Sequence, residues 1–273
     1  MGFNLALNLH RNGFEVVAHD VNPDFVAQIA QQGVSTALNL ADLTQKLEGR
    51  RVIWLMVPAG EIVDTVIEQL IPLLNPSDII IDGGNSFYKD SLRRYAQLKD
   101  KRIDFLDCGT SGGTSGALNG ACTMIGGDTD VFTYVEEVFQ KISIQNGYLH
   151  TGKAGSGHFT KMVHNGIEYG MMQAIAEGFE VFERSQFDID FQKTAELFNH
   201  GSVVRGWLME LTANAFAKDP QLDAIKGVMH SSGEGKWTLE TALDMGVPTP
   251  VIALSVMMRY RSQMEDTFSG KVV

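Results

Sequence analysis

The sequence has few cysteines, few basic residues and no long apolar run, and each shortage excludes a class of protein. Cys108 and Cys122 are the only cysteines among 273 residues, too few for a disulfide framework, so a reducing cytoplasm is the predicted location. No run of about 18 apolar residues is present, so no membrane span is expected. The start, MGFNLALNLHRNG, is broken by polar residues and does not resemble a signal peptide. The net charge of −11 argues against nonspecific binding to nucleic acid or to an anionic membrane.

The pattern of apolar residues predicts two domains. Up to about residue 150, short apolar strands alternate with helices, which is typical of a mostly parallel, doubly wound α/β sheet. The predicted strands are 14–20, 51–57, 78–82, 103–108 and 121–127, and the predicted helices are 3–12, 23–33, 61–74 and 89–100. Later patterns are all helical, at 156–185, 190–199, 203–217, 238–246 and 250–265. We therefore expect an α/β domain at 1–152 and an all-α domain at 153–273.

The beginning of the chain has features of a dinucleotide-binding fold without its first strand. Such folds usually begin with a strand, a glycine-rich turn and a helix, whereas here the predicted helix directly follows Met1 and Gly2. Gly2 corresponds to the last glycine of a G-x-G-x-x-G turn. Asp20 ends the next strand, about where these folds bind the adenosine ribose hydroxyls. An ordinary turn at the end of a strand would also contain Asp20, so both interpretations remain open.

Two glycine-rich stretches come directly after predicted strands. The first is IIIDGGNS, which ends at Ser86, and the second is CGTSGGTSGALNG, residues 108–120, which is predicted as a loop. Ligands of open α/β sheets bind beyond the carboxyl ends of the strands, and glycine lets backbone N–H groups approach an anion. Either stretch alone could be a structural turn, but two at successive strand ends favour a binding site.

Residues 161–170, KMVHNGIEYG, concentrate polar side chains on one side of a predicted helix. The arc contains Lys161, His164, Asn165, Glu168 and Tyr169, and it continues through Met172, Ile175, Ala176 and Phe179. Because an arc that becomes apolar is not a solvated face, we expect these groups to be buried or to line a cleft.

Burying such groups costs several kcal/mol unless they are paired or used. The seven-residue spacing puts Lys161 and Glu168 about 10 Å apart on one face, where they could serve as a base and an acid. A satisfied buried polar network is the structural alternative.

The stretches IIIDGGNS, TSGG, GSGHFTKMVHNGIEYGMMQ and GEGKWT together resemble the 6-phosphogluconate dehydrogenase family over essentially the whole chain, and the chain length resembles its short NAD-linked branch. The resemblance implies oxidative decarboxylation of 6-phosphogluconate to ribulose 5-phosphate, in the pentose phosphate pathway, with NAD or NADP and no metal. Lys161 matches the general base and Glu168 the acid. Positions matching substrate contacts are Asn85, Ser111, Gly112, Gly113, His164, Asn165, Tyr169 and Arg259. Positions matching cofactor contacts are Gly2, Asp20, Met56, Val57, Pro58, Ala59 and Asn85.

The sequence departs from the family pattern at several places. The first strand and two earlier glycines are not present before Gly2, nor is the family's C-terminal tail present at the other end. Ser232 and Glu234 stand where long members have a Lys and a Thr on the substrate phosphate, so a less charged acid such as gluconate is an alternative substrate. Asp20 and Val21 replace a pattern that suits a 2′-phosphate, so NAD is expected to be preferred over NADP.

Two other functions remain to be distinguished. A related β-hydroxyacid dehydrogenase would not decarboxylate its product, and that group usually has an Asn pair where this chain has His164-Asn165. An inactive fragment that only oligomerises belongs to a different class. The apolar, methionine-rich helical part predicts a homodimer or homotetramer.

Overall fold

The computed structural model describes residues 1–273, which form thirteen α-helices and seven strands. They divide into two compact units, Met1–Met162 and Val163–Val273. The helices before residue 150 are α1 (Gly2–Arg11), α2 (Pro23–Ala30), α3 (Leu40–Gln45), α4 (Glu61–Leu70), α5 (Tyr88–Asp100), α6 (Gly113–Asn119) and α7 (Thr129–Ile142), and a short 3-10 helix, Ile71–Leu73, follows α4. The strands are β1 (Val17–Ala18), β2 (Ser35–Thr36), β3 (Val52–Leu55), β4 (Ile79–Asp82), β5 (Asp104–Ser111), β6 (Ala121–Gly127) and β7 (Ser143–Gly152).

The main sheet has five strands in the order β3-β4-β5-β6-β7, and β1 and β2 form a separate parallel pair. Strands β3, β4 and β5 are parallel, β6 runs antiparallel to β5, and β7 runs parallel to β6. The register aligns Leu55, Asp82, Asp107 and Gly126 in one row across the sheet. The predicted α/β class with a mostly parallel sheet is confirmed, whereas the reversed direction of β6 and β7 was not predicted.

Helices cover both faces of this sheet because its central strands are apolar on both sides. Ile79 and Ile81 of β4 pack on one face with Leu5 and Phe139, whereas Ile80 packs on the other. All three isoleucines are fully buried. Each fully buried side chain of this size contributes roughly 1.5–3 kcal/mol to the free energy of folding. The strand predicted at 78–82 is thus confirmed and is buried on both faces.

Several elements were not predicted from the sequence. They are β2, α3, α6, α7, β7 and a last short helix, α13 (Phe268–Val272). The prediction of a loop at 108–120 was wrong, since β5 runs to Ser111 and α6 begins at Gly113. Gly112 (φ +115°) and Gly113 (φ +60°) turn the chain from strand to helix in the left-handed region. Strand β7 has no period-two pattern of apolar residues, and Asn146 interrupts it with φ +62°.

The second part of the chain contains helices only, as predicted. They are α8 (Ser156–Glu183), α9 (Phe191–Asn199), α10 (Trp207–Lys218), α11 (Glu234–Asp244), α12 (Pro250–Ser262) and α13. The predicted boundary after residue 152 lies at the end of β7, whereas the two compact units divide within α8. A core of Phe179, Ala195, Met209, Ala213 and Phe216 holds α8, α9 and α10 together. None of the helices combines the length and apolar character that crossing a membrane requires.

Candidate active site

Strand β4 ends in Asp82, whose buried carboxylate organises the DGGNS turn. Asp82 Oδ1 accepts a hydrogen bond from the backbone N–H of Gly84 (3.2 Å), and Oδ2 accepts one from the Ser86 hydroxyl (2.7 Å). Arg94 of α5, also fully buried, donates to the same Oδ2 from 3.1 Å. Asn85 is exposed at the tip of this turn. Its backbone is therefore fixed from both sides, while its side chain is accessible to a ligand.

Arg94 connects this turn to α4. Its Nε donates to Asp64 Oδ1 (2.7 Å), and its second terminal nitrogen donates to the carbonyl oxygen of Gly60 (3.0 Å). Burial alone would raise the pKa of Asp64, but hydrogen bonds from Arg94 and Arg93 outweigh burial and lower that pKa below its ordinary value. The guanidinium thus pairs with two carboxylates and anchors the start of α4.

The predicted cofactor contacts lie beside this turn. A Cβ on Gly2 would stand 3.1 Å from Met56 Cβ, so the first turn of α1 approaches the end of β3 as closely as a side chain permits. A Cβ on Gly84 would stand 3.0 Å from the carbonyl oxygen of Val57. Pro58 and Ala59 continue this segment and are exposed. Close helix–strand packing is the role that the last glycine has in dinucleotide-binding turns.

Asp20 lies just after β1 and is exposed. Its Oδ1 accepts a hydrogen bond from the backbone N–H of Asn22 (2.8 Å). The next residue, Val21, is 96% exposed and offers no cation to a phosphate. Asp20 therefore forms a turn through Oδ1. Its second carboxylate oxygen can accept a hydrogen bond from a ligand, so the predicted role in ribose binding stays a prediction.

The polar arc of α8 is the buried side of that helix. Lys161 is 7% exposed, Asn165 8% and Tyr169 6%, whereas Ile167 and Met171 are 53% and 48% exposed. Lys161, Asn165 and Tyr169 thus face in while two apolar side chains face out, the reverse of an ordinary surface helix. This confirms that the arc is not a solvated face.

Lys161 packs against a glycine of the sheet. A Cβ added to Gly109 of β5 would overlap Lys161 Cβ and stand 2.9 Å from Lys161 Cγ. Ser111 follows two residues later at the end of β5, and β5 is parallel to β4, which leads into Asn85. Within the first compact unit, Lys161 of α8 therefore packs against the strand that contains Ser111.

The remaining polar residues of α8 form a looser group. His164 Nδ1 lies 2.9 Å from Asn165 Oδ1 and 3.8 Å from Glu168 Oε2. The side chain of Glu168 is 35% exposed. Of the predicted acid–base pair, Lys161 is thus held in a packed environment and Glu168 in a more open one.

Tyr169 and Arg259 meet within the second unit. The Arg259 guanidinium carbon stands 3.7 Å from the centroid of the Tyr169 ring, a cation–π contact. Arg259 also donates to the carbonyl oxygen of His230 (2.7 Å), and the Tyr169 hydroxyl donates to Ser231 Oγ (3.4 Å). Tyr169 and Arg259, both predicted as substrate contacts, are therefore neighbours, which the sequence did not show.

Glu234 begins α11 beside this group and is 1% exposed. The Ser232 hydroxyl donates to Glu234 Oε2, and Oε1 is buried with no hydrogen-bond partner. The two residues that depart from the family pattern therefore interact with each other.

Comparison with known proteins assigns both parts of the chain to one family. Residues 1–152 match the family model described as the NAD binding domain of 6-phosphogluconate dehydrogenase. Residues 157–269 match the one described as the 6-phosphogluconate dehydrogenase C-terminal domain.

Several relatives and solved structures are similar over nearly the whole chain. The protein YqeC of Bacillus subtilis (strain 168), named only provisionally as a 6-phosphogluconate dehydrogenase, is 56% identical over 273 residues, 100% of this chain and 92% of YqeC. The NAD(+)-dependent, decarboxylating 6-phosphogluconate dehydrogenase of Haloferax volcanii is 40% identical over 95% of this chain and 87% of its own length. The 6-phosphogluconate dehydrogenase structure from Plasmodium falciparum superposes with a TM-score of 0.88 at 34% identity, over 96% of this chain and 60% of that enzyme. A 3-hydroxyisobutyrate dehydrogenase from Mycobacterium tuberculosis shares the fold, with a TM-score of 0.77 at 20% identity, over 96% of this chain and 89% of its own.

Proposed function

Because the chain belongs to the 6-phosphogluconate dehydrogenase family of NAD(P)-dependent oxidoreductases, we propose that it catalyses the NAD-dependent oxidative decarboxylation of 6-phosphogluconate to ribulose 5-phosphate and CO2. The observation that carries the proposal is the burial of Lys161, which packs on Gly109 of β5. Glu168 follows Lys161 by two turns of the same helix. A desolvated lysine can act as a base near neutral pH because burial disfavours its charged form. The relative from Haloferax volcanii, named as NAD(+)-dependent and decarboxylating, supports the same reaction.

In the proposed mechanism Lys161 alternates between accepting and donating a proton. Its neutral Nζ takes the proton from the 3-hydroxyl of the sugar acid while C3 is oxidised. The nicotinamide, when bound, supplies the hydride acceptor for this step. The product is a β-keto acid, which loses its carboxylate as CO2, and Lys161 returns the proton to the carbonyl oxygen to give an enediol. Glu168 then protonates the carbon that carried the carboxylate while the C3 hydroxyl gives its proton to Lys161, which yields the ketone.

Substrate and cofactor contacts follow from the same proposal. The residues proposed to bind the sugar acid are Asn85, Ser111, Gly112, Gly113, His164, Asn165, Tyr169 and Arg259. The fit to a dinucleotide rests on Gly2, which approaches Met56 as closely as a Cβ permits, and on Asp20, which keeps one oxygen available. Ribose hydroxyls can donate to that oxygen, whereas the 2′-phosphate of NADP would be repelled by it. We therefore expect a higher kcat/KM with NAD than with NADP, and the opposite ratio would contradict the role of Asp20.

The proposal is tested by following NADH absorbance and trapped CO2 with 6-phosphogluconate as substrate. Equal amounts of the two products are expected. NADH without CO2 would indicate a β-hydroxyacid dehydrogenase that does not decarboxylate, and faster turnover of gluconate would reassign the substrate. If neither cofactor is reduced and NAD does not raise the melting temperature, the chain is not an enzyme of this kind.

Replacement of Lys161 tests the assignment of the base. Lys161→Met keeps the length and apolar part of the side chain, and we expect kcat to fall by about 10²–10⁴-fold, the usual contribution of a general acid–base group. Lys153→Met, which changes an exposed lysine just before α8, is the matched control and should leave kcat unchanged.

A further inference from the structure

Asp107 is a fully buried carboxylate to which the sequence draws no attention. It lies in the middle of β5, and both of its oxygens accept hydrogen bonds from backbone N–H groups at the beginning of α8. Oδ1 accepts from Gly155 (2.6 Å) and Oδ2 from His158 (2.8 Å), residues 48 and 51 positions further along the chain. A buried carboxylate needs such partners, because an uncompensated one is expensive to desolvate.

These two N–H groups belong to the set that a helix start leaves without intrahelical partners. In an ordinary capping box, side chains at the N-cap and at the third helical residue each bind the backbone N–H of the other. Here Gly155 precedes the helix, His158 is its third residue, and one carboxylate from a strand binds both N–H groups. Asp107 therefore caps α8 from the sheet, and its negative charge faces the positive end of the helix dipole.

Glycines allow the helix start to touch the sheet backbone. A Cβ on Gly126 of β6 would stand 2.6 Å from Asp107 Oδ1 and 2.7 Å from the backbone nitrogen of Gly157. A Cβ on Gly157 would stand 2.5 Å from the carbonyl oxygens of both Asp107 and Met124. No side chain fits between the two elements, so the position of α8 on the sheet is set by backbone contacts and by this carboxylate.

Lys161 of α8 also contacts the same strand. It follows His158 by three residues, which places it on the same side of the helix, and it packs on Gly109, two residues after Asp107. Ser91 Oγ of α5 lies 2.7 Å from His158 Nδ1 and holds the same turn from another direction. We propose that Asp107 is a positioning residue for Lys161, because its carboxylate fixes the first turn of α8 on the sheet. The proposal rests on the function proposed above, in which Lys161 is the base.

Asp107→Asn tests this with the smallest change of shape. The amide oxygen can still accept one backbone N–H, but the amide nitrogen then faces the other N–H as a second donor. We expect kcat to fall about 10–100-fold, as for a displacement of about 1 Å, while the KM values for NAD and 6-phosphogluconate change less than about threefold. Backbone amide exchange at Gly155 and His158 should accelerate.

Asp104→Asn is the matched control. Asp104 begins the same strand and pairs with Arg50 at 2.6 Å through side chains that are only partly buried. This variant should keep the wild-type kcat.

A double-mutant comparison separates positioning from general damage. If Asp107 acts through Lys161, Asp107→Asn should add no further loss of kcat to Lys161→Met. If the two losses multiply, or if Asp107→Asn alone keeps the wild-type kcat, the inference is wrong.

A second variant and the activity of the wild-type protein separate the possible failures. Should Asp107→Asn fail to fold, Gly126→Ala serves instead, because it keeps the Asp107 carboxylate and displaces it. This variant is expected to lower kcat while the KM values again change less than about threefold. An unchanged kcat in Gly126→Ala would overturn the inference. Wild-type protein that reduces neither cofactor would refute the proposed function, whereas active wild type with an unimpaired Asp107→Asn variant would refute only the role of Asp107.

Discussion

Gly109→Ala is predicted to inactivate the protein without unfolding it. The new Cβ would overlap Lys161 Cβ, and it would stand 2.9 Å from Lys161 Cγ and 3.1 Å from the carbonyl oxygen of Gly157. The Lys161 Cβ and the Gly157 carbonyl belong to the inflexible part of α8. Rotation of the lysine side chain cannot relieve the contacts, so strand and helix must separate.

The size of the effect follows from these distances. Carbon atoms pack at about 3.5–4.0 Å from one another, so the Cβ atom of Lys161 must move by about 1 Å or more. Overpacking of this kind costs about 1–3 kcal/mol, less than the 5–15 kcal/mol by which domains are typically stable. A displacement of about 1 Å in a catalytic group lowers the rate about 100-fold, which corresponds to about 2.7 kcal/mol of activation free energy.

The assay compares kcat from NADH formation with the free energy of unfolding from urea denaturation. Gly178→Ala is the matched control, because Gly178 lies exposed in the same helix and an added Cβ would meet no atom within 4 Å. Alanine is the better helix former, so this control should gain roughly 0.5–1 kcal/mol of stability and keep kcat unchanged. Wild-type kcat in Gly109→Ala would refute the proposal that Lys161, packed on Gly109, is the catalytic base.

Two further predictions concern the first unit. Arg94→Met removes the partner of the buried Asp82 carboxylate, and we expect the free energy of unfolding in urea to fall by about 3–5 kcal/mol; an unchanged urea midpoint would contradict the pairing. In a thiol titration with a disulfide reagent, exposed Cys122 should react in the folded protein. Cys108 should react only after denaturation, because burial raises the pKa of its thiol far above the ordinary value, and rapid reaction of both thiols would contradict that burial.

The sequence predicted those parts of the fold where the apolar pattern is strong. Strand β4, a run of isoleucines, and α8, with its long helical period, both lie close to their predicted positions. The prediction that the polar arc of α8 is buried also depended only on local spacing, because the arc continues into apolar residues. The domain boundary, the roles of the site residues, the cytoplasmic location and the oligomeric state remain predictions.

The parts that could not be predicted depend on contacts between distant segments. The stretch GTSGALN has the composition of a loop, yet it forms α6, since Gly112 and Gly113 adopt left-handed conformations that turn the chain into a helix. Strand β7 is polar along much of its length and is paired on one side only, with β6. An edge strand of this kind shows no apolar alternation, so no sequence pattern could reveal it.

Buried aspartates show why supporting residues are harder to predict than catalytic ones. Asp78, Asp82 and Asp107 are at most 1% exposed, and each binds backbone N–H groups. In the predicted strands they stand at or next to a strand end, as exposed Asp20 does, and an aspartate there is common in turns of every kind. Lys161 could be recognised because a lysine on a buried helical arc contradicts the local pattern, whereas an aspartate near a predicted strand end contradicts nothing. The difference arises only when the chain folds and brings the backbone of α8 within hydrogen-bonding distance of Asp107, so the residue proposed to position Lys161 becomes visible in the structure alone.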